Sequence, residues 1–161
     1  MNYKIVEKPE FKIIGKQIRV RNDNGDNFRL IPEFWGKCIN DGTMDVLHNL
    51  PNIIDRKVCM GMCADCDGSN TFSYIICVQV ENFDTLPEGM TAKTIPAAKY
   101  AVFTAKGTIP QAIQDTIKYI YSKWFTSSGY VRAETEDFEY YDERSVENNE
   151  STEVDIYIPV K

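Results

Sequence analysis

The sequence predicts an α+β fold made of two strand–helix–strand–strand units, with antiparallel strands on one side and helices on the other. Three observations carry this expectation. Two segments rich in β-branched residues, 3–20 and 91–107, each hold a proline followed by a lysine three residues later: Pro9 and Lys12, then Pro96 and Lys99. Each segment leads into a stretch with apolar residues at helical spacing. Each of those stretches is followed by two short strand patterns, so the same order occurs twice. A length of 161 residues suits one domain of ordinary size, or two small halves that share a core.

The elements follow in order. "YKIVEKPEFKIIGKQIRV" (3–20) nearly alternates and reads as a strand bent or bulged at Pro9. "NDNGDN" (22–27) is turn chemistry whose last residues can cap a helix. Phe28, Ile31, Phe34, Trp35 and Cys38 then recur at helical spacing, with Pro32 assigned to the first turn. "NDG" (40–42) ends that helix, and a shorter one is expected over 45–50. Strands at 57–64 and 71–80 flank the hairpin turn "DCDGSN". "DTLPEGM" (84–90) has no periodicity and separates a first half, about 1–84, from a second, about 91–161.

In the second half, "TIPQAIQDTIKYIYSKWF" (108–125) is the clearest helix pattern. Thr108 and Gln111 are placed as a capping box, and Pro110 in the first turn. Ile113, Ile117, Ile120, Tyr121 and Trp124 make its apolar stripe. Strands at 138–141 and 153–160 are joined by the acidic loop "DERSVENNES". With helices on one side of the strands, the cleft between the halves is the natural place for a ligand.

Charge narrows the function classes. Acidic residues outnumber basic ones 24 to 18, for a net charge of −6. Proteins that grip phosphate backbones show a basic face, so direct nucleic-acid binding is not expected. Surplus acid favours solubility and attracts cations. The apolar runs are too short to span a bilayer. Lys4, Glu7, Lys8 and Glu10 break any apolar signal core, so a cytoplasmic protein without membrane contact is expected.

Three of the five cysteines fall in "VCMGMCADCDG" (58–68). A zinc site wants four ligands, so Cys59, Cys63 and Cys66 would need Cys38, His48 or Cys77 to complete the set. A redox CxxC sits where a helix N-terminus lowers a thiol pKa, whereas Cys63 and Cys66 enter a hairpin turn. Alternation puts Cys59, Gly61 and Cys63 on one face, and Val58, Met60 and Met62 on the other. Small residues on one face suit close packing against a helix, or the floor of a cleft. Neither a metal nor any other cofactor is expected. The single histidine, His48, has no nucleophile motif beside it, which argues against a Ser-His-Asp arrangement.

The chain resembles the GyrI-like small-molecule-binding domains, the effector-binding domains of bacterial transcription activators. The resemblance rests on "IPEFW", "SYIICVQV" and "LPEGMTAKTIPAAKYAVFTAKG", and then on "KWFTSSGY", "FEYYDER" and "STEVDIYIPVK". It covers essentially the whole chain, 1–161, as one such domain. Members occur fused to DNA-binding modules in multidrug regulators and as stand-alone proteins, including those of integron cassettes. The resemblance implies a pseudo-twofold pair of βαββ units around an aromatic cleft that holds bulky, planar, often cationic molecules. It also implies a glutamate facing the ligand's charge, which by position is Glu153. The first strand begins at Tyr3, so a stand-alone module is expected, and any transcriptional output would pass through a protein partner or a second copy.

Glu153 shares a strand face with Asp155 and Tyr157, opposite Val154, Ile156 and Ile158. A carboxylate at the edge of an apolar cleft is costly unless a cation or hydrogen-bond donors meet it. A cationic ligand offsets that cost, and aromatic faces add roughly 0.5–2 kcal/mol of cation–π attraction. Trp35, Tyr140, Tyr74, Phe34 and Trp124 are the candidate wall residues. In "FEYY", Phe138 and Tyr140 share one face and Tyr141 takes the other; Tyr140 is the one assigned to the cleft. The expected function is binding of a hydrophobic, aromatic or cationic compound for drug sensing or sequestration. The alternative is hydrolysis of reactive cyclopropane-type electrophiles, with Glu153 activating water and Tyr140 donating a hydrogen bond.

Overall fold

Pro9 and Pro96 divide each opening segment into two strands, and those strands pair in different places. The computed structural model describes residues 1–161. The first half comprises β1 (Tyr3–Lys8), β2 (Phe11–Arg21), α1 (Asp26–Asn40), α2 (Thr43–His48), β3 (Cys59–Ala64) and β4 (Thr71–Val80). The second comprises β5 (Thr91–Ile95), β6 (Ala98–Lys106), α3 (Gln111–Tyr119), β7 (Asp137–Tyr141) and β8 (Glu153–Pro159). The helix continues past α3 through a π-helical turn, Ile120–Trp124, and a last α-helical turn, Phe125–Ser127.

All eight strands form one antiparallel sheet in the order β1-β6-β8-β7-β3-β4-β2-β5. Exchanging the halves, β1 for β5 through β4 for β8, returns the same order from the other end. The pseudo-twofold centre lies between β3 and β7, where Gly61 stands opposite Glu139. β1 crosses to pair with β6, and β5 crosses to pair with β2. The bends therefore exchange strands between the halves, and proline suits a bend because it has no N–H to offer a ladder.

Both faces of the sheet are buried. On the helix side, α1 and α2 pack Phe34, Cys38 and Leu47 onto Ile14, Tyr74, Ile76 and Val78. α3 and its π-helical continuation pack Ile113, Ile120 and Trp124 onto Phe103, Val154, Ile156 and Ile158. On the other side no helix contributes, and all eight strands send side chains into one cluster around Phe11, Met62, Tyr100 and Phe138. β2 and β7 stand three places apart, about 14 Å in a flat sheet, yet the Phe11 and Phe138 rings lie 5.9 Å apart. The sheet is strongly curled, and its inner face packs against itself.

Two local expectations need correction. Pro32 falls inside α1, because the helix starts at Asp26 with Gly25 in a left-handed conformation as its cap. The Thr108–Gln111 capping box does not form; the helix begins at Gln111 without a side-chain cap. Asn148 stabilises the preceding turn instead. Its amide oxygen accepts from the Ile109 N–H at 2.8 Å, and its Nδ2 donates to the Ile109 carbonyl at 2.9 Å.

Candidate functional site

α1 and the helix that starts as α3 lie over opposite halves of the sheet and leave a cavity of about 1300 Å³ between them, above β3 and β7. Its walls include Phe28, Ile31 and Trp35 from α1, and Ile113, Ile117 and Tyr121 from α3 and its continuation. Its floor is set by strand alternation: Cys59 and Cys63 from β3, with Asp137, Glu139 and Tyr141 from β7. Four apolar or aromatic side chains of the cavity, Phe28, Ile39, Tyr121 and Val146, are themselves solvent-exposed.

Glu139 is one of two carboxylates of this floor, and its surroundings are specific. The hydroxyls of Tyr74 and Tyr141 both donate to Oε1, at 2.9 and 2.7 Å. Trp35 Nε1 donates in turn to the Tyr74 hydroxyl at 2.9 Å. Donors thus converge on one oxygen, and Oε2 has no protein partner. Tyr74 belongs to β4, so its ring must cross β3 to reach β7. Gly61 makes the crossing possible: a Cβ there would overlap the Tyr74 hydroxyl and come 2.9 Å from Glu139 Oε1. Trp35 and Tyr141 meet edge to face, with ring centroids 5.0 Å apart.

Burial dominates the electrostatics. It pushes the Glu139 carboxyl up to about 7, against the two tyrosine hydrogen bonds that favour its ionised form; neighbouring Asp137 pushes the same way as burial. Burial also raises Tyr74 and Tyr141, so both phenols remain donors. Asp137 is raised by burial and drawn back by Arg132, whose Nη2 lies 3.3 Å from Oδ1. Among the cysteines, burial takes Cys59 up to about 12 and raises Cys63 and Cys66. Such thiols stay protonated and are weak nucleophiles and ligands. No three side chains of His, Cys, Asp and Glu come together as a metal site.

Of the six expected ligand-contacting residues, Trp35 lines the cavity. Tyr74 lies beneath the floor, fully buried, where it links Trp35 to Glu139. Phe34 is core beneath α1, and Trp124 is core among Tyr3, Phe103, Phe125 and Tyr130. Tyr140 projects to the opposite, curled face and packs near Tyr157. Glu153 is placed away from the cavity for the same reason. It shares the face of Asp155 and Tyr157, whereas Val154, Ile156 and Ile158 face the helices, and its ladder partner is Lys106. The residue that reasoning from sequence missed is Glu139. The signal was the "FEYY" alternation: choosing Tyr141 as the cavity tyrosine brings Glu139, two residues earlier, with it.

The fold is shared with several solved structures. SAV2435, solved bound to tetraphenylphosphonium, superposes with a TM-score of 0.86 at 21% identity, over 100% of this chain and 94% of that one. An integron cassette protein from the mobile metagenome of Vibrio cholerae gives 0.69 at 24% identity, over 99% and 95%. In sequence, the chain is 34% identical over 161 residues to the transcriptional regulator BrlR of Pseudomonas aeruginosa. That match covers 99% of this chain and 56% of BrlR, so the chain spans about half the length of that relative. Residues 4–160 match the family described as integron-associated effector binding protein. The chain belongs to that effector-binding family.

Proposed function

We propose that the cavity binds a lipophilic, aromatic effector carrying positive charge, with Glu139 as its counter-ion and Trp35 and Tyr141 as its aromatic contacts. The observation that carries this reading is the position of Glu139 Oε2, an acceptor without a protein partner on the floor of a largely apolar cavity. A buried carboxylate is costly without a cation, and a soft, weakly hydrated cation meets it at little desolvation cost of its own. Edge-to-face aromatics beside it add cation–π attraction of roughly 0.5–2 kcal/mol. The tetraphenylphosphonium held by SAV2435, on the same fold, is a ligand of this chemical type.

The output of binding is then sensing or sequestration, with any transcriptional effect carried by another segment or chain, as the likeness to part of BrlR suggests. Titration with tetraphenylphosphonium at pH 8, followed by tryptophan fluorescence, tests the reading. Trp124 is core and Trp35 lines the cavity, so a Trp124→Phe background assigns the signal to Trp35. Glu139→Gln is expected to weaken binding about tenfold or more. Equal affinity in parent and variant would remove Glu139 from the role.

A hydrolytic reading has one observation in its favour: a carboxyl held near pH 7 beside two phenol donors can accept a proton from water. In that reading Glu139 and Tyr141 take the parts that the sequence assigned to Glu153 and Tyr140. Mass spectrometry of a cyclopropane-type electrophile after incubation with parent and Glu139→Gln decides it; unchanged substrate in both ends it.

A further inference from the structure

The cavity floor carries two inward acids on one strand, Asp137 and Glu139, about 7 Å apart along β7. They are not equivalent. Glu139 meets only neutral phenols, whereas Asp137 is paired with Arg132. The Arg132 guanidinium is held on several sides. Its Nε donates to the Tyr121 hydroxyl at 3.0 Å and its Nη1 to the Ala133 carbonyl at 2.7 Å. Its Nη2 reaches the Thr135 carbonyl at 3.4 Å and Asp137 at 3.3 Å. The backbone around it is also fixed: Val131 exchanges hydrogen bonds with Lys161, and Ala133 N donates to the Pro159 carbonyl at 2.9 Å.

We propose that Arg132 sets the charge specificity of the cavity by neutralising Asp137, so that the site takes lipophilic monocations and gains nothing from a second positive charge. This rests on the reading of Glu139 as the counter-ion. Two inward acids without Arg132 would form a site for dications. With Arg132 in place, a second cation near Asp137 meets a guanidinium already there, and their repulsion beside this half-buried pair offsets the attraction of the carboxylate. Arg132 is suited to this part because its planar fork spans a phenol, two carbonyls and a carboxylate at once, and it stays charged at every working pH.

The test compares ethidium, a monocation, with propidium, which has the same ring system and a second cation on a short alkyl arm. Dye fluorescence at pH 8 gives both affinities. The parent is expected to bind propidium no more tightly than ethidium. Arg132→Gln should raise propidium relative to ethidium by about tenfold. The double variant Arg132→Gln with Asp137→Asn should return the ratio to that of the parent. The parent comparison needs no variant, so a misfolded Arg132→Gln protein leaves the test intact: parent preferring propidium by tenfold overturns the proposal. A propidium-to-ethidium ratio unchanged in a folded Arg132→Gln protein overturns it too. Ethidium binding that is lost in Glu139→Gln while either of those results holds leaves the counter-ion reading standing. Ethidium binding indifferent to Glu139→Gln overturns both.

Discussion

Glu139→Gln should make the protein more stable, by an amount that grows as pH rises from about 4.5 to about 7. The folded-state value of Glu139, about 7, lies above its ordinary 4.5. Between those values the folded state holds a proton that the unfolded chain has released. Stability linked to this group is therefore fully present below about pH 4.5 and is lost as pH rises through about 7. At about 1.36 kcal/mol per unit, ionised Glu139 costs the folded state about 3 kcal/mol at pH 8. Glutamine resembles the protonated acid: its oxygen still accepts from Tyr74 and Tyr141, and it carries no charge. Urea unfolding of parent and variant, read by circular dichroism, should agree within about 0.5 kcal/mol at pH 4.5. At pH 8 the variant should be more stable by about 3 kcal/mol, or roughly 6–12 °C in Tm. A variant less stable than the parent at pH 8, or a difference that does not change with pH, would refute the burial argument.

Other expectations follow from the same geometry. Affinity for tetraphenylphosphonium should rise roughly tenfold, and at most about thirtyfold, from pH 5.5 to 8 as Glu139 ionises, flatten above that, and show proton release by calorimetry in two buffers; a flat profile would argue against the carboxylate as counter-ion. Gly61→Ala should weaken binding and destabilise the fold by about 1–3 kcal/mol, because the new methyl pushes the Tyr74 hydroxyl off Glu139; unchanged binding and denaturation midpoint would contradict that contact. Glu153→Gln should leave cation affinity within twofold of the parent by the same titration, since Glu153 faces away from the cavity; about tenfold loss would reverse that placement. Asn148→Ala should lower stability by about 1 kcal/mol in urea by freeing both backbone groups of Ile109.

Much of the scaffold was legible because it depends on local periodicity. The doubled order of elements, the prolines that bend the opening strands, and the alternation of Cys59, Gly61 and Cys63 against Met60 and Met62 follow from period-two and helical patterns. The exchange of β1 and β5 between halves was not legible, since a bend in a strand does not say which edge its first part will join. The site was harder to read for a related reason. Alternation separates Tyr140 from Tyr141 but does not say which face the helices cover, and the curled sheet buries both. The fully apolar set Val154, Ile156 and Ile158 faces the helices, which sends Glu153 to the other side. Gly61 looked like a packing residue, and its use depends on Tyr74 from the next strand, a contact that spacing within β3 cannot show.

The pseudo-twofold scaffold has been used asymmetrically, and this explains how a symmetric fold comes to place its cavity-floor acids on one strand alone. Rotation about the β3–β7 centre carries Gly61 onto Glu139, Cys63 onto Tyr141 and Cys59 onto Asp137. One strand therefore supplies small, neutral groups where the other supplies acids and a phenol. Tyr74 stands opposite Cys63 on β4. The place it would occupy in the second half continues the β7–β8 ladder one step beyond Tyr140 and Asp155, at Val154, a short aliphatic in the core. A phenol can cross β3 because Gly61 is bare; in the other half Glu139 itself fills that space. The gap and the carboxylate are thus two halves of one arrangement, each requiring the other half to differ. The cysteine-rich strand that first suggests a metal contributes through its glycine, by giving way at the point where the acid must be held.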